Sequence, residues 1–148
     1  MFIDLNDQIE IKIYYQRVGR HYEVHNDKEW DAMEEEAQKK YKCLIIKCRE
    51  LTWGLYNELN EESVTKDNLG GRHWNYKLYK ENKLRKVIAS WDAKMADDKG
   101  NLIPVPVSGD MIAKLSPDIA EAILSAYDAM MFIGEEEEKK SLGRFTEE

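Results

Sequence analysis

From Ser116 onward the chain carries a helix that is apolar on most of its circumference, and every other segment must accommodate it. Its start is fixed by three adjacent residues. Ser116 is a good N-cap, Pro117 suits the first helical position, and Asp118 suits the positive end of the helix dipole. Ile119, Ile123, Tyr127 and Met130 form one stripe, and Ala120, Leu124 and Met131 form a second beside it. Only Glu121, Ser125 and Asp128 remain as a narrow polar strip. A surface helix of a small domain normally buries one stripe. The second is therefore either deep core or a contact surface for another chain. The run Met130, Met131, Phe132, Ile133 favours contact, because methionine adapts to irregular partners. Leu124, Tyr127, Met130, Met131 and Phe132 are accordingly the candidate partner-binding residues.

A chain of 148 residues buries roughly two thirds of its unfolded surface as one domain and needs no disulfide or metal to fold. Lys and Arg number 22 against 29 Asp and Glu, a net charge of -7 that disfavours binding to phosphate backbones. The longest apolar runs, Cys43 to Ile46 and Ala129 to Ile133, fall far short of the ~20 residues that span a bilayer. The opening Met-Phe-Ile-Asp-Leu has no basic leader region, so a cytoplasmic protein is expected. Cys43 and Cys48 fit no zinc spacing and read as reduced, packed thiols, so neither metal nor cofactor is expected.

Gln8 to Tyr15 alternates, with Ile9, Ile11, Ile13 and Tyr15 on one side, as a half-buried strand does. Gly19 turns the chain and His21 to Val24 returns as a second strand, making a hairpin. His21 and His25 lack a third ligand and read as ordinary surface residues. Asn26 with Glu29 forms a capping box, and Trp30, Met33, Ala37 and Tyr41 keep helical spacing, which predicts a helix over Asp27 to Lys40. Tyr41 to Leu51 fits a strand, or a continued helix through Leu44, Cys48 and Leu51. Thr52 caps the next helix, with Leu51 placed to staple onto Tyr56 and with Leu55 and Leu59 as its buried stripe. Asn60 to Gly71 reads as a surface loop.

Leu84, Val87, Ile88 and Trp91 share a face, but extending it backwards meets Lys77 and Lys80. Either the core-facing helix begins near Glu81, or the segment with Trp74, Tyr76, Leu78 and Tyr79 packs elsewhere. Those aromatics among Arg72, Lys77, Lys80, Lys83, Arg85 and Lys86 are the one place for a base-stacking surface, although a solvated helix face suits the acidic whole better. Asp97 to Asn101 is a turn. It fails as a calcium loop because a liganding position falls on Lys99. Pro104 and Pro106 confine Leu102 to Val107 to an edge strand or polyproline-like strip, and Ser108 caps a short helix bearing Met111, Ile112 and Leu115. The expected fold is α+β, a small N-terminal β-hairpin or sheet with a mostly helical C-terminal part. It comprises one domain over residues 1–133 and a disordered charged tail over 134–148.

No phosphate loop, nucleophile elbow or metalloprotease motif occurs, which argues against an enzyme. Trp91 followed by the acidic turn at Asp98 and Gly100, the Pro104-Val105 strip, and the start Leu115-Ser116-Pro117 of a final helix to Tyr127 resembles the tail assembly chaperones of long-tailed bacteriophages. The Leu51 to Leu59 helix is similar too, so the resemblance covers roughly a third of the chain through motifs that many folds share. It implies a non-enzymatic protein that binds the tape-measure and tail-tube proteins during assembly and leaves before the particle is finished. It also implies a longer product made by frameshifting, for which the codons of Glu138-Lys139-Lys140 would supply an A-rich slip site. The other classes in play are a neck or tail component that stays in the virion and an acidic inhibitor of a host protein. Acids and bases alternate along the helices, which counts against the inhibitor.

Overall fold

The computed structural model describes residues 1–4 and 6–146, with side chains described as far as Met131. A sheet of order β2-β1-β3-β6, antiparallel throughout, organises the chain. Strand β1 (Gln8–Val18) runs into β2 (His21–His25) through a tight turn. Gly19 there has φ +65 while among the described residues no non-glycine residue has positive φ, the pattern of a type II′ hairpin. Its right-handed twist matches the strands it joins.

The ambiguous stretch after Tyr41 is strand β3 (Lys42–Arg49), pairing along β1 from Gln8 opposite Arg49 to Tyr15 opposite Lys42. The helix expected over Asp27 to Lys40 is instead two short pieces, α1 (Asp27–Asp31) and α2 (Glu35–Gln38). Two observations account for the break. Trp30 stacks flat on Tyr14 of β1 at 4.2 Å, and the Trp30 carbonyl accepts from Met33 N and from Gln38 Nε2 instead of continuing a ladder. The acidic run then starts α2, where its charge favours a helix N-terminus.

Helix α3 (Trp53–Glu62) is capped by Thr52, whose Oγ1 accepts from Leu55 N at 3.2 Å. Tyr56 stacks on exposed Trp53. The expected loop after Asn60 holds a hairpin, β4 (Val64–Lys66) and β5 (Arg72–Trp74). Helix α4 (Tyr76–Val87) passes directly into β6 (Ile88–Trp91), the fourth strand of the main sheet. A second small hairpin follows, β7 (Lys94–Ala96) with β8 (Leu102–Pro104), then α5 (Gly109–Ala113) and α6 (Pro117–Thr146).

The chain after the N-terminal hairpin is therefore not mostly helical. Strands β4 to β8 all lie in it, so that eight strands in three antiparallel sheets accompany six helices among the described residues. Four of the five later strands are only three residues long before or after a turn, too short to show alternation, and β6 continues the helical spacing of α4; β8 lies within the strip expected over Leu102 to Val107.

One core joins these elements. Ile11 and Ile13 of β1, Leu44, Ile46 and Cys48 of β3, and Ile88 of β6 meet Leu84 and Val87 of α4, Ile112 of α5, and Ile119, Ile123, Leu124 and Tyr127 of α6. Burial pushes the Cys48 thiol up to about 11, so it stays protonated and packs as a hydrophobe. Among the described residues no helix is long and apolar enough to cross a membrane.

Candidate protein-binding surfaces

The double-striped final helix resolves residue by residue. Leu124 (7 % exposed) and Tyr127 (2 %) lie beneath the sheet, with the Tyr127 hydroxyl donating to Arg49 O at 3.0 Å. Burial raises the Tyr127 phenol to about 12. Deep core thus accounts for the second stripe at Leu124, and neither side chain is open to a partner. Met131 packs partly buried against the core, and Met130 is 46 % exposed. Of the candidate contact residues, Met130 is the one that the structure sets in solvent. The role expected of Phe132 and the tail expected over 134–148 fall outside the residues whose side chains are described.

A larger apolar surface lies where β5 meets α4. Asn75 caps α4 by accepting from Leu78 N at 3.1 Å, which fixes the first helical turn against the β4–β5 hairpin. Trp74 (52 % exposed) and Tyr79 have ring centroids 5.1 Å apart, and Tyr76 (62 % exposed) stacks on Tyr79 at 6.3 Å. Lys80 sits over the Tyr76 ring at 5.1 Å and Lys83 over Tyr79 at 5.4 Å. Such a surface joins rigid aromatic area to cations, the composition of binding hot spots.

The cations here are already engaged. Lys83 Nζ is 2.6 Å from Asp128 of α6, and Lys80 pairs with Glu121 of the same helix. Lys86 reaches Glu58 at 3.2 Å and Glu62 at 3.1 Å, and Arg85 reaches Glu81 at 2.8 Å. Burial opposes the charge of Lys83, but the Asp128 carboxylate outweighs it and raises the ammonium pKa. With four of the six basic residues paired to carboxylates, a polyanion would have to displace internal partners.

The outer face of β1 and β2 carries a polar aromatic network absent from the sequence-based expectation. His25 Nδ1 lies 2.9 Å from Glu29 and its Nε2 3.2 Å from the Tyr41 hydroxyl. Gln16 donates to Glu23 and to Tyr41, and the Tyr14 hydroxyl donates to Asp27 at 2.9 Å. Burial, then the Asp27 contact, pushes Tyr14 up to about 12, and the His25 bond holds Glu29 below the ordinary carboxylate range. Every member has a partner within the network, which ties α1 and Tyr41 to the sheet. The spacing of Asn26 and Glu29 pointed to a cap, but nothing local in the sequence linked His25 to Tyr41.

A groove of about 550 Å³ runs along β1 where β2 has ended. Its floor is Glu10 to Ile13, Asn26 to Glu29 close one end, and Ala122, Ala126, Ala129 and Met130 of α6 form a smooth wall. Strand β2 pairs only with Tyr14 to Val18, so the edge of β1 from Gln8 to Ile13 is open on this side. No family model, curated protein or solved structure matches the chain.

Proposed function

We propose that the chain is a non-enzymatic assembly chaperone of long-tailed bacteriophages that holds tape-measure and tail-tube proteins in the host cytoplasm before they enter the tail. The observation that carries the binding half is the cluster in which exposed Trp74 and Tyr76 both pack on half-buried Tyr79, Tyr76 stacked and Trp74 tilted. Aromatic rings held by a hairpin and a capped helix present apolar area at little cost in side-chain freedom, which suits an amphipathic helix of a long partner. The phage half rests on the resemblance, and it is supported by the way its residues act together. The Trp91 indole donates to Val105 O at 2.8 Å and Val105 N donates to Ala93 O at 2.9 Å, so the tryptophan, the turn and the proline strip form one tied unit leading into α5 and α6.

The test is co-purification from infected or prophage-carrying cells with tagged wild type and with a Trp74→Ala, Tyr76→Ala variant. Recovery of a long tape-measure protein with wild type, reduced about tenfold or more in the variant at unchanged melting temperature, is expected. Equal recovery by both removes the aromatic cluster as the interface. Recovery of only a host enzyme overturns the chaperone assignment.

A further inference from the structure

We infer that the open edge of β1 is a self-complementary interface, through which two copies of this chain pair their Ile9 to Ile13 segments antiparallel and join their sheets. The backbone is poised for it. Val18 and His21 close the two-residue turn, so Val18, Gln16 and Tyr14 bond to β2, and by alternation Lys12 and Glu10 aim their N–H and C=O groups to the same side, where β2 no longer runs. The other side agrees. Ile45, opposite Lys12 on β3, uses its own N–H and C=O towards Asp92 at 2.8 and 3.1 Å, so it does not bond to Lys12. Among the described residues no turn or loop backbone hydrogen bond reaches Glu10 or Lys12 either.

Charge then selects the occupant and the register. The exposed pair Glu10 and Lys12 flanks buried Ile11. With Ile11 opposite Ile11 on the two-fold axis, Glu10 faces Lys12 of the second copy and Lys12 faces its Glu10. These are the residues with free backbone groups, so hydrogen bonds and ion pairs fall at the same positions. The neighbouring in-phase registers would set Glu10 against Glu10 or Lys12 against Lys12, which like-charge repulsion disfavours. Ile9, Ile11 and Ile13 would continue the apolar face across the axis, and the small side chains of Ala122, Ala126 and Ala129 line the groove beside this edge. This surface is separate from the Trp74 cluster, so failure of either proposal leaves the other standing.

Sedimentation equilibrium of the full chain tests the pairing with Glu10→Lys, Lys12→Glu and the double exchange, each first checked for an unchanged fold by thermal melting. Wild type is expected to dimerise, each single reversal to weaken association about tenfold or more, and the double exchange to recover it. A wild type that stays monomeric up to several hundred micromolar, single reversals that associate like wild type, or a double exchange that does not recover would each overturn the inference. The first of these outcomes would give the edge to a strand of a different protein.

Discussion

Asp67 and Asp97 perform the same task in two hairpins. In each, the aspartate N–H donates to the carbonyl four residues on, at Gly71 and Asn101, and one carboxylate oxygen accepts from the amides two and four residues on. A glycine at the fourth position takes φ +81 in both, at Gly70 and Gly100. The sequence announces the turn over Asp97 to Asn101 but only a surface loop around Asp67, and of the four three-residue strands beside them β8 alone falls in a stretch expected to be extended, the strip over Leu102 to Val107. Asp67 has a further partner, His73 at 2.8 Å, and that bond, then the Gly71 and Leu69 amides, hold its carboxyl below the ordinary value of 3.8. A carboxylate lowered in the folded state adds stability above its unfolded pKa and loses it as pH falls through the folded one. The amides of Leu69 and Gly71 are therefore expected to exchange faster once the pH drops below 3.8, while the main sheet is still protected. Asp67→Ala should give the same local loss at neutral pH. Hydrogen exchange followed amide by amide checks both, and unchanged protection at these two positions would remove the aspartate from the account.

At the scale of elements, several caps were legible in the sequence, that of Asn75 was not, and partners were not. Asn26, Thr52 and Ser108 were read as caps, and each accepts the amide three residues on, at Glu29, Leu55 and Met111. Capping is local chemistry, so neighbouring letters suffice. The interruption between α1 and α2 depends on Trp30 finding Tyr14 on another element, which helical spacing alone cannot express. The passage from α4 to β6 is similar, because Ile88 and Trp91 keep the spacing of Leu84 and Val87 while the backbone turns extended to pair with Cys48 and Ile46. Helix α3 is short, contains Gly54, and has one buried side chain, Leu59, so it should depend heavily on its cap. Thr52→Ala is expected to cost about 1 kcal/mol in urea unfolding, with Thr52→Ser largely retaining the wild-type value. Equal stability of the alanine variant would mean that packing on α4 alone sustains the helix.

For the whole molecule, the decisive element is α6, because its apolar side chains from Ile119 to Tyr127 are buried inside this chain. Ile119, Ile123, Leu124 and Tyr127 complete a core shared with β1 and β3 of the first fifty residues and with Leu84, Val87, Ile88 and Ile112, so distant parts of the chain stabilise each other through this helix. Sequence spacing identified the stripes correctly but could not say whether the second faced a sheet or a partner, since both present the same apolar demand. A truncation before Ser116 is consequently expected to unfold the protein, and loss of partner binding by such a truncation would carry no information about an interface. Point substitutions separate the two roles. Ile123 is fully buried and Met130, two stripe positions further along, is nearly half exposed. Ile123→Ala should cost about 2–5 kcal/mol through lost burial and the cavity left behind, a large part of the ~5–15 kcal/mol that holds a typical domain together. Met130→Ala should stay within about 0.5 kcal/mol. Denaturant midpoints of the two variants decide the matter. If Ile123→Ala proved as mild as Met130→Ala, the helix would not be the keystone of the core, and its inner stripe would again be available to another chain.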